Sequence, residues 1–211
     1  MRLRHNRSVT QSSQRVPRTK AEQRARTTTS LIAEARRLFA TVGYERVKVA
    51  DVARRAGVTT GALYHHLGSK RGLFLAVLEQ VHEEVAGRIA DAASDLEPWD
   101  QLAAGCGAFL GATTDPQVQR IMLIDGPAVL GWQAWRKLDA ATSMKLLEEV
   151  ITELVDEGVI SAQPVKPLVH LLSGAMNEAA LWLAGSESRE RDLDATIAAL
   201  NRFLDSLRAR D

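Results

Sequence analysis

The chain has 211 residues, a single cysteine, Cys106, and only 5% aromatic residues. One cysteine leaves no partner for an internal disulfide and excludes a Cys-rich zinc site. No stretch of useful length alternates apolar with polar residues, which argues against a sheet-built fold. No run of about eighteen apolar residues occurs, so no transmembrane helix is expected. Arg2, Arg4 and Arg7 are not followed by a continuous apolar stretch, so a secretory signal is not expected and the cytoplasm is the expected location. What is abundant is Ala and Leu, 31 and 26 residues, both strong helix formers. A content of 45% hydrophobic and 25% charged residues is too apolar for wholesale disorder.

The net charge of +1 conceals an asymmetry. Residues 1–72 hold 16 Lys and Arg against 4 Asp and Glu, a surplus of +12. Residues 73–211 hold 11 against 22, a surplus of −11. A basic third beside an acidic remainder implies two tasks, the first with a polyanion as partner.

The hydrophobic periodicity predicts an all-α chain of about nine helices. Residues 1–26 carry almost nothing large and apolar and are expected to form a disordered basic tail, able to reach phosphates or a minor groove. Leu31, Ile32, Ala35, Leu38, Phe39 and Val42 then recur at helical spacing, with Gly43 at the C-cap. Val49, Val52, Ala53 and Ala56 predict a short second helix ended by Gly57. Thr59 is placed to cap a third, Thr60 to His66, and Ser69 to cap a long fourth running to about Ala93. Beyond Pro98, further helices are expected through Phe109, through Val118–Ile124 (ended by Asp125-Gly126-Pro127), over 128–157, and over about 168–184 and 192–208. The expected units are the tail, a module over 27–75 and a helical domain over 76–211.

One longer and two short helices with tight connections inside a basic segment predict a compact DNA-binding module. Ala56-Gly57-Val58-Thr59 suits the turn of a helix-turn-helix. Thr60, Gly61 and Ala62 are small, so the start of the following helix can lie close to base edges in a major groove. Leu63 and Leu67 would hold that helix on the core, while Tyr64, His65 and His66 project outward. His65 and His66 are adjacent on a helix and point about 100° apart, so they do not suit one metal ion; no metal and no cofactor are expected.

The run Val49-Ala50-Asp51-Val52-Ala53-Arg54-Arg55-Ala56-Gly57-Val58-Thr59-Thr60-Gly61-Ala62-Leu63-Tyr64-His65-His66-Leu67, with Lys70 and Leu73 after it, resembles the DNA-binding domain of the tetracycline-repressor (TetR) family. The resemblance spans about residues 27–75 and combines turn, cap and phosphate-contact positions in one register. It implies that Thr59 and Thr60 open a recognition helix, that Gly61 and Ala62 lie closest to the bases, and that Tyr64, His65 and Lys70 meet phosphates. Lys48 stands where the family often has a capping Thr, exchanging a cap for a cation near the DNA backbone. Leu67 replaces a common Phe.

The acidic remainder shows no catalytic set, and no enzyme is expected. Cys106 lies among Gly105, Gly107, Ala108 and Phe109 and reads as a small buried residue. His82, with Glu79 or Glu83, reads as a surface charge pair; His170 reads as a core histidine. All four tryptophans lie here, and an apolar pocket with a few polar groups is expected from Phe109, Met122, Asp125, Trp132, Met176 and Asn177. A homodimer interface is expected on the last two helices, at Leu171, Ala175, Ala179, Leu193, Ile197, Leu200 and Leu204. The resemblance thus implies a homodimeric regulator, most simply a repressor released from double-stranded operator DNA by a small lipophilic effector. The rival expectations are a non-specific nucleic-acid binder and a small helical enzyme.

Overall fold

The computed structural model describes residues 19–209. The expectation of a disordered tail therefore lies outside the described residues over 1–18. From residue 19 the chain departs from that expectation. Helix α1, Lys20–Val42, begins seven residues before the expected start. The Thr19 hydroxyl accepts the Glu22 backbone N–H at 3.2 Å, and the Glu22 carboxylate accepts that of Thr19 at 2.9 Å. This reciprocal pair satisfies two free donors at the helix start and extends the helix through residues with no apolar face.

Helices α2 (Val49–Arg55) and α3 (Thr60–Leu67) follow, and α4 (Lys70–Ala93) leads from the first unit into the second. Leu31, Phe39, Val52, Leu63, Leu73 and Phe74 are fully buried together. Phe39, Tyr44 and Phe74 form an aromatic cluster with ring centroids 5.2–5.8 Å apart. Glu84 on α4 accepts from Arg36 of α1 at 2.6 Å and from Arg88 at 2.6 Å. The Arg36 hydrogen bond is the main reason the Glu84 carboxyl lies below its ordinary pKa.

The second unit is built round α5 (Pro98–Thr113), with α4, α9 (Ser143–Asp156), α10 (Val165–Ala184) and α11 (Arg189–Asp205) packed against it. Between α5 and α9, helical backbone runs unbroken from Pro116 to Leu130, as α6 (Pro116–Gln119), a π-helical stretch (Arg120–Asp125) and α7 (Gly126–Leu130). The expected stop at Asp125-Gly126-Pro127 is therefore a change of pitch rather than an end. Pro127 has no N–H, and its ring would clash with a carbonyl four residues back in an α-helix. The backbone widens instead, and Gly126 N–H bonds Ile121, five residues earlier.

The single helix expected over 128–157 is three pieces. Gly131, at φ 84, separates α7 from α8 (Trp132–Ala141), and Thr142, at φ −126 and ψ −106, separates α8 from α9. With Pro116–Leu130 taken as one rod, ten helical rods are described. The last described residues are tied down: Arg208 pairs with Ile160 in an isolated antiparallel bridge, and its guanidinium lies 3.8 Å above the Trp99 ring. No described helix is long and apolar enough to cross a membrane.

Candidate functional site

The turn between α2 and α3 is set by Gly57 at φ 71 and by Thr59, whose hydroxyl accepts the Ala62 N–H at 3.1 Å. Leu63 is fully buried and Leu67 packs on the same core, which fixes the rotation of α3. Thr59, Thr60, Gly61, Tyr64 and His65 are exposed, with Ala62 half-buried beside them. A side chain added at Gly61 would meet nothing nearer than Thr59 Oγ1 at 3.9 Å, so the α3 surface is open there. His66 is turned inward instead, with its Nδ1 3.0 Å from the Thr28 hydroxyl of α1.

Lys48 is exposed at the start of α2 and provides no side-chain cap. Lys70 is held: its ammonium donates to the Glu45 carbonyl at 3.1 Å and lies 4.5 Å over the Tyr44 ring. The arrangement presents a short helix with small residues at its start and cations on its flanks, the chemistry of groove entry with phosphate clamps.

The second unit encloses a cavity of about 390 Å³ between α4, α5, α8, α9 and α10. Its apolar walls include Leu102, Phe109, Met144, Leu147 and Met176. Asp139 reaches it from α8, Ser143 from α9 and Ser173 from α10. The Asp139 carboxylate is bound by the Arg136 guanidinium, which also donates to Ser173 at 2.9 Å. Burial raises the Asp139 pKa, and Arg136 and Ser173 oppose that rise. Burial likewise pushes the Cys106 thiol, on the same wall, up to about 12, so it is no nucleophile.

Of the six residues expected to line a pocket, Phe109 and Met176 do so. Met122 is fully buried in the core, away from the cavity. Asp125 accepts the backbone N–H of Tyr44 at 2.9 Å. Trp132 is 63% exposed. Asn177 is buried beside Met176 but outside the cavity wall, with its amide oxygen unpartnered. Large side chains fill space; the cavity opens where Gly105, Cys106, Ser143 and Ser173 are small. That clustering of small residues on facing helices was the signal available in sequence.

Two histidine expectations are corrected. His82 is fully buried, with Nδ1 3.3 Å from the Thr142 hydroxyl and Nε2 unpartnered, and burial lowers its pKa to about 4. His170 is exposed, 3.4 Å from the Arg136 guanidinium. Of the residues expected at an interface, Leu204 is corrected: it is buried in its own chain. Leu193, Ile197 and Leu200 are half-buried and pack on that same core. Leu171 is 70% exposed, and Ala175 is exposed one turn on, with Ala179 half-buried beyond it. Trp182 and Phe203 extend the exposed apolar surface of α10 and α11.

The fold and the α2–α3 geometry define a helix-turn-helix DNA-binding protein with a helical second domain. Residues 31–77 match the family model described as bacterial regulatory proteins, tetR family, and residues 99–207 match the tetracyclin repressor-like C-terminal domain. The chain belongs to the TetR family of DNA-binding transcriptional regulators, a family of regulators and not of enzymes. A TetR-family transcriptional regulator from Pectobacterium atrosepticum shares 33% identity, with 92% of this chain and 99% of that one aligned at a TM-score of 0.76. The TetC protein of transposon Tn10 from Escherichia coli is 25% identical over 179 residues, 85% of this chain and 91% of TetC. The regulator CymR of Pseudomonas putida is 36% identical over 85 residues, 40% of this chain and 42% of CymR.

Proposed function

We propose that the protein is a homodimeric cytoplasmic repressor, released from a pseudopalindromic operator by a small lipophilic effector bound in the 390 Å³ cavity. Thr59, Thr60, Gly61 and Ala62 approach base edges, while Lys48, Tyr64, His65 and Lys70 hold phosphates. The exposed faces of α10 and α11, with Leu171 and Ala175 at their centre, pair with a second copy. The two α3 helices then enter successive major grooves about 34–36 Å apart.

One observation carries the effector reading: a continuous chain of contacts joins the cavity to the DNA-binding unit. Asp139 lines the cavity from α8. Trp135, one turn earlier on that helix, donates its indole N–H to the Met122 carbonyl at 2.7 Å, within the π-helical stretch. Asp125 ends that stretch and holds Tyr44 of the DNA-binding unit. Arg71, at the start of α4, donates to the carbonyls of Val129 and Leu130 just beyond it, at 3.5 and 3.2 Å. An occupant that moves α8 therefore shifts both attachments of the DNA-binding unit. Inverting a population from 1:99 to 99:1 needs about 5.5 kcal/mol of differential affinity.

Gel shift against palindromic and scrambled duplexes tests the operator reading, and equal affinity for both would make this a non-specific binder. Neutralising roughly 6–10 phosphates predicts a loss of about 10³–10⁵ in affinity between 50 and 200 mM salt. Leu171→Glu should yield monomers in sedimentation and weaken operator binding, with secondary structure unchanged.

A further inference from the structure

Charge is distributed unevenly in the cavity. Its deep wall is apolar, and the one carboxylate there, Asp139, is neutralised by Arg136. Ser143 is also on this wall, only 7% exposed, and its hydroxyl has no partner. The mouth is different. Asp95, Glu149 and Glu153 stand there, all exposed. Asp95, at φ 58, is the only described non-glycine residue in the left-handed region. No Lys, Arg or His is among the residues lining the cavity.

The acidic character continues outward. A shallow groove shares Glu149 and Glu153 with the mouth and adds Glu148, Asp156 and Glu157, against one cation, Lys145. Lys145 pairs with Glu149 at 3.5 Å, both side chains being more than half exposed, which screens the pair strongly. Among the described residues, Glu153 and Asp95 have no ion-pair partner.

We infer that the cavity takes an amphiphilic cation, with an apolar body against Leu102, Phe109, Met144 and Leu147 and an ammonium-type head among Asp95, Glu149 and Glu153. The assignment rests on the cavity being the effector site. It excludes carboxylate and phosphate amphiphiles of the same shape, because the wall offers an anion no counter-charge and the mouth repels it.

Isothermal titration of the full-length protein tests this with three probes of matched tail: decyltrimethylammonium, decanol and decanoate, each below its micelle concentration. The expected order is cation, alcohol, anion. Three exposed, solvent-screened carboxylates should make the cation bind about tenfold tighter than decanol, and decanoate about tenfold weaker. Added salt should narrow this spread. Glu149→Gln with Glu153→Gln should bring the three within about fivefold of one another, decanol keeping its wild-type affinity.

A blocked variant, Met144→Trp, should abolish decanol binding; should it melt early, Leu147→Phe serves instead. Decanol that binds and is lost on blocking, without any preference for the cation, overturns the charge assignment and leaves the effector cavity standing. Decanol binding that survives blocking in a folded variant overturns the cavity itself. Failure of all three probes to bind wild type overturns both.

Discussion

The Asp125 carboxylate accepts the backbone N–H of Tyr44 at 2.9 Å, across 81 residues of sequence. Tyr44 follows the C-cap of α1, so this bond fastens the DNA-binding unit to the end of the π-helical stretch. Asp125→Ala would leave a half-buried amide without a partner, at a cost of about 1–3 kcal/mol. It should lower the midpoint of urea unfolding. It should also weaken communication between effector and DNA by about 0.5–2 kcal/mol. The check is operator affinity with and without effector: the ratio of the two should shrink more than the affinity of the free protein changes.

Trp135 and Trp132 lie 5.0 Å apart by ring centroid yet should respond very differently to substitution. In an α-helix the Met122 carbonyl would accept from Gly126, but that N–H bonds Ile121. The next N–H in π register would belong to residue 127, which is proline. The Trp135 indole supplies the missing donor. Trp135→Phe should therefore cost about 1–3 kcal/mol beyond any packing loss, since it strands a buried carbonyl. Trp132 is 63% exposed, and Trp132→Phe should stay within about 0.5 kcal/mol. Equal unfolding midpoints for the two variants would contradict this account of the π-helical stretch.

These residues also mark what local pattern reveals and what it hides. The breaks between the first four helices were legible because they have local causes: Thr59 and Ser69 cap by their own hydroxyls, and Gly43 and Gly57 take positive φ. The start of α1 was not, because its Thr19–Glu22 capping box precedes any apolar periodicity. Asp125-Gly126-Pro127 reads locally as a stop. It continues helically because an indole ten residues downstream of Asp125 satisfies the carbonyl that the proline orphans. The cavity was misplaced for a related reason. Tryptophan and methionine signal bulk, and Met122 and Trp135 fill the core, whereas the space lies where side chains are small. The Leu face of α11 was legible as apolar, but periodicity does not say whether such a face meets its own chain or another. Leu204 meets its own.

Gly61 separates DNA contact from stability. It is exposed on α3 with open space around it, so Gly61→Ala should raise helix stability slightly, by up to about 1 kcal/mol, in the free protein. Gly61→Leu should fold equally well yet block close approach to base edges, reducing operator affinity by at least about tenfold, or 1.4 kcal/mol. Lys70→Ala should act otherwise. It should weaken binding to operator and scrambled DNA alike and reduce the salt slope by about 1, because a phosphate contact carries no base information. Gel shifts at several salt concentrations check both. A Gly61→Leu protein that binds operator normally would mean that the start of α3 does not enter the groove.

His82 gives the fold a pH dependence whose sign is determined. Its folded pKa, about 4, lies below the ordinary 6.5 because burial disfavours the imidazolium. Between those values the unfolded chain binds the proton and the folded protein does not, so stability rises with pH. The contribution is fully present above about pH 6.5 and is lost as pH falls toward 4, amounting to about 3 kcal/mol in all. At pH 5, unfolding should be easier by about 2 kcal/mol than at pH 7 from this group alone. His82→Gln should flatten that slope, whatever it does to stability at neutral pH. Urea unfolding of both proteins at pH 5 and 7 isolates the effect, because the carboxylates common to both cancel in the difference. An unchanged pH slope in the variant would mean that the imidazole takes up its proton without leaving the folded core.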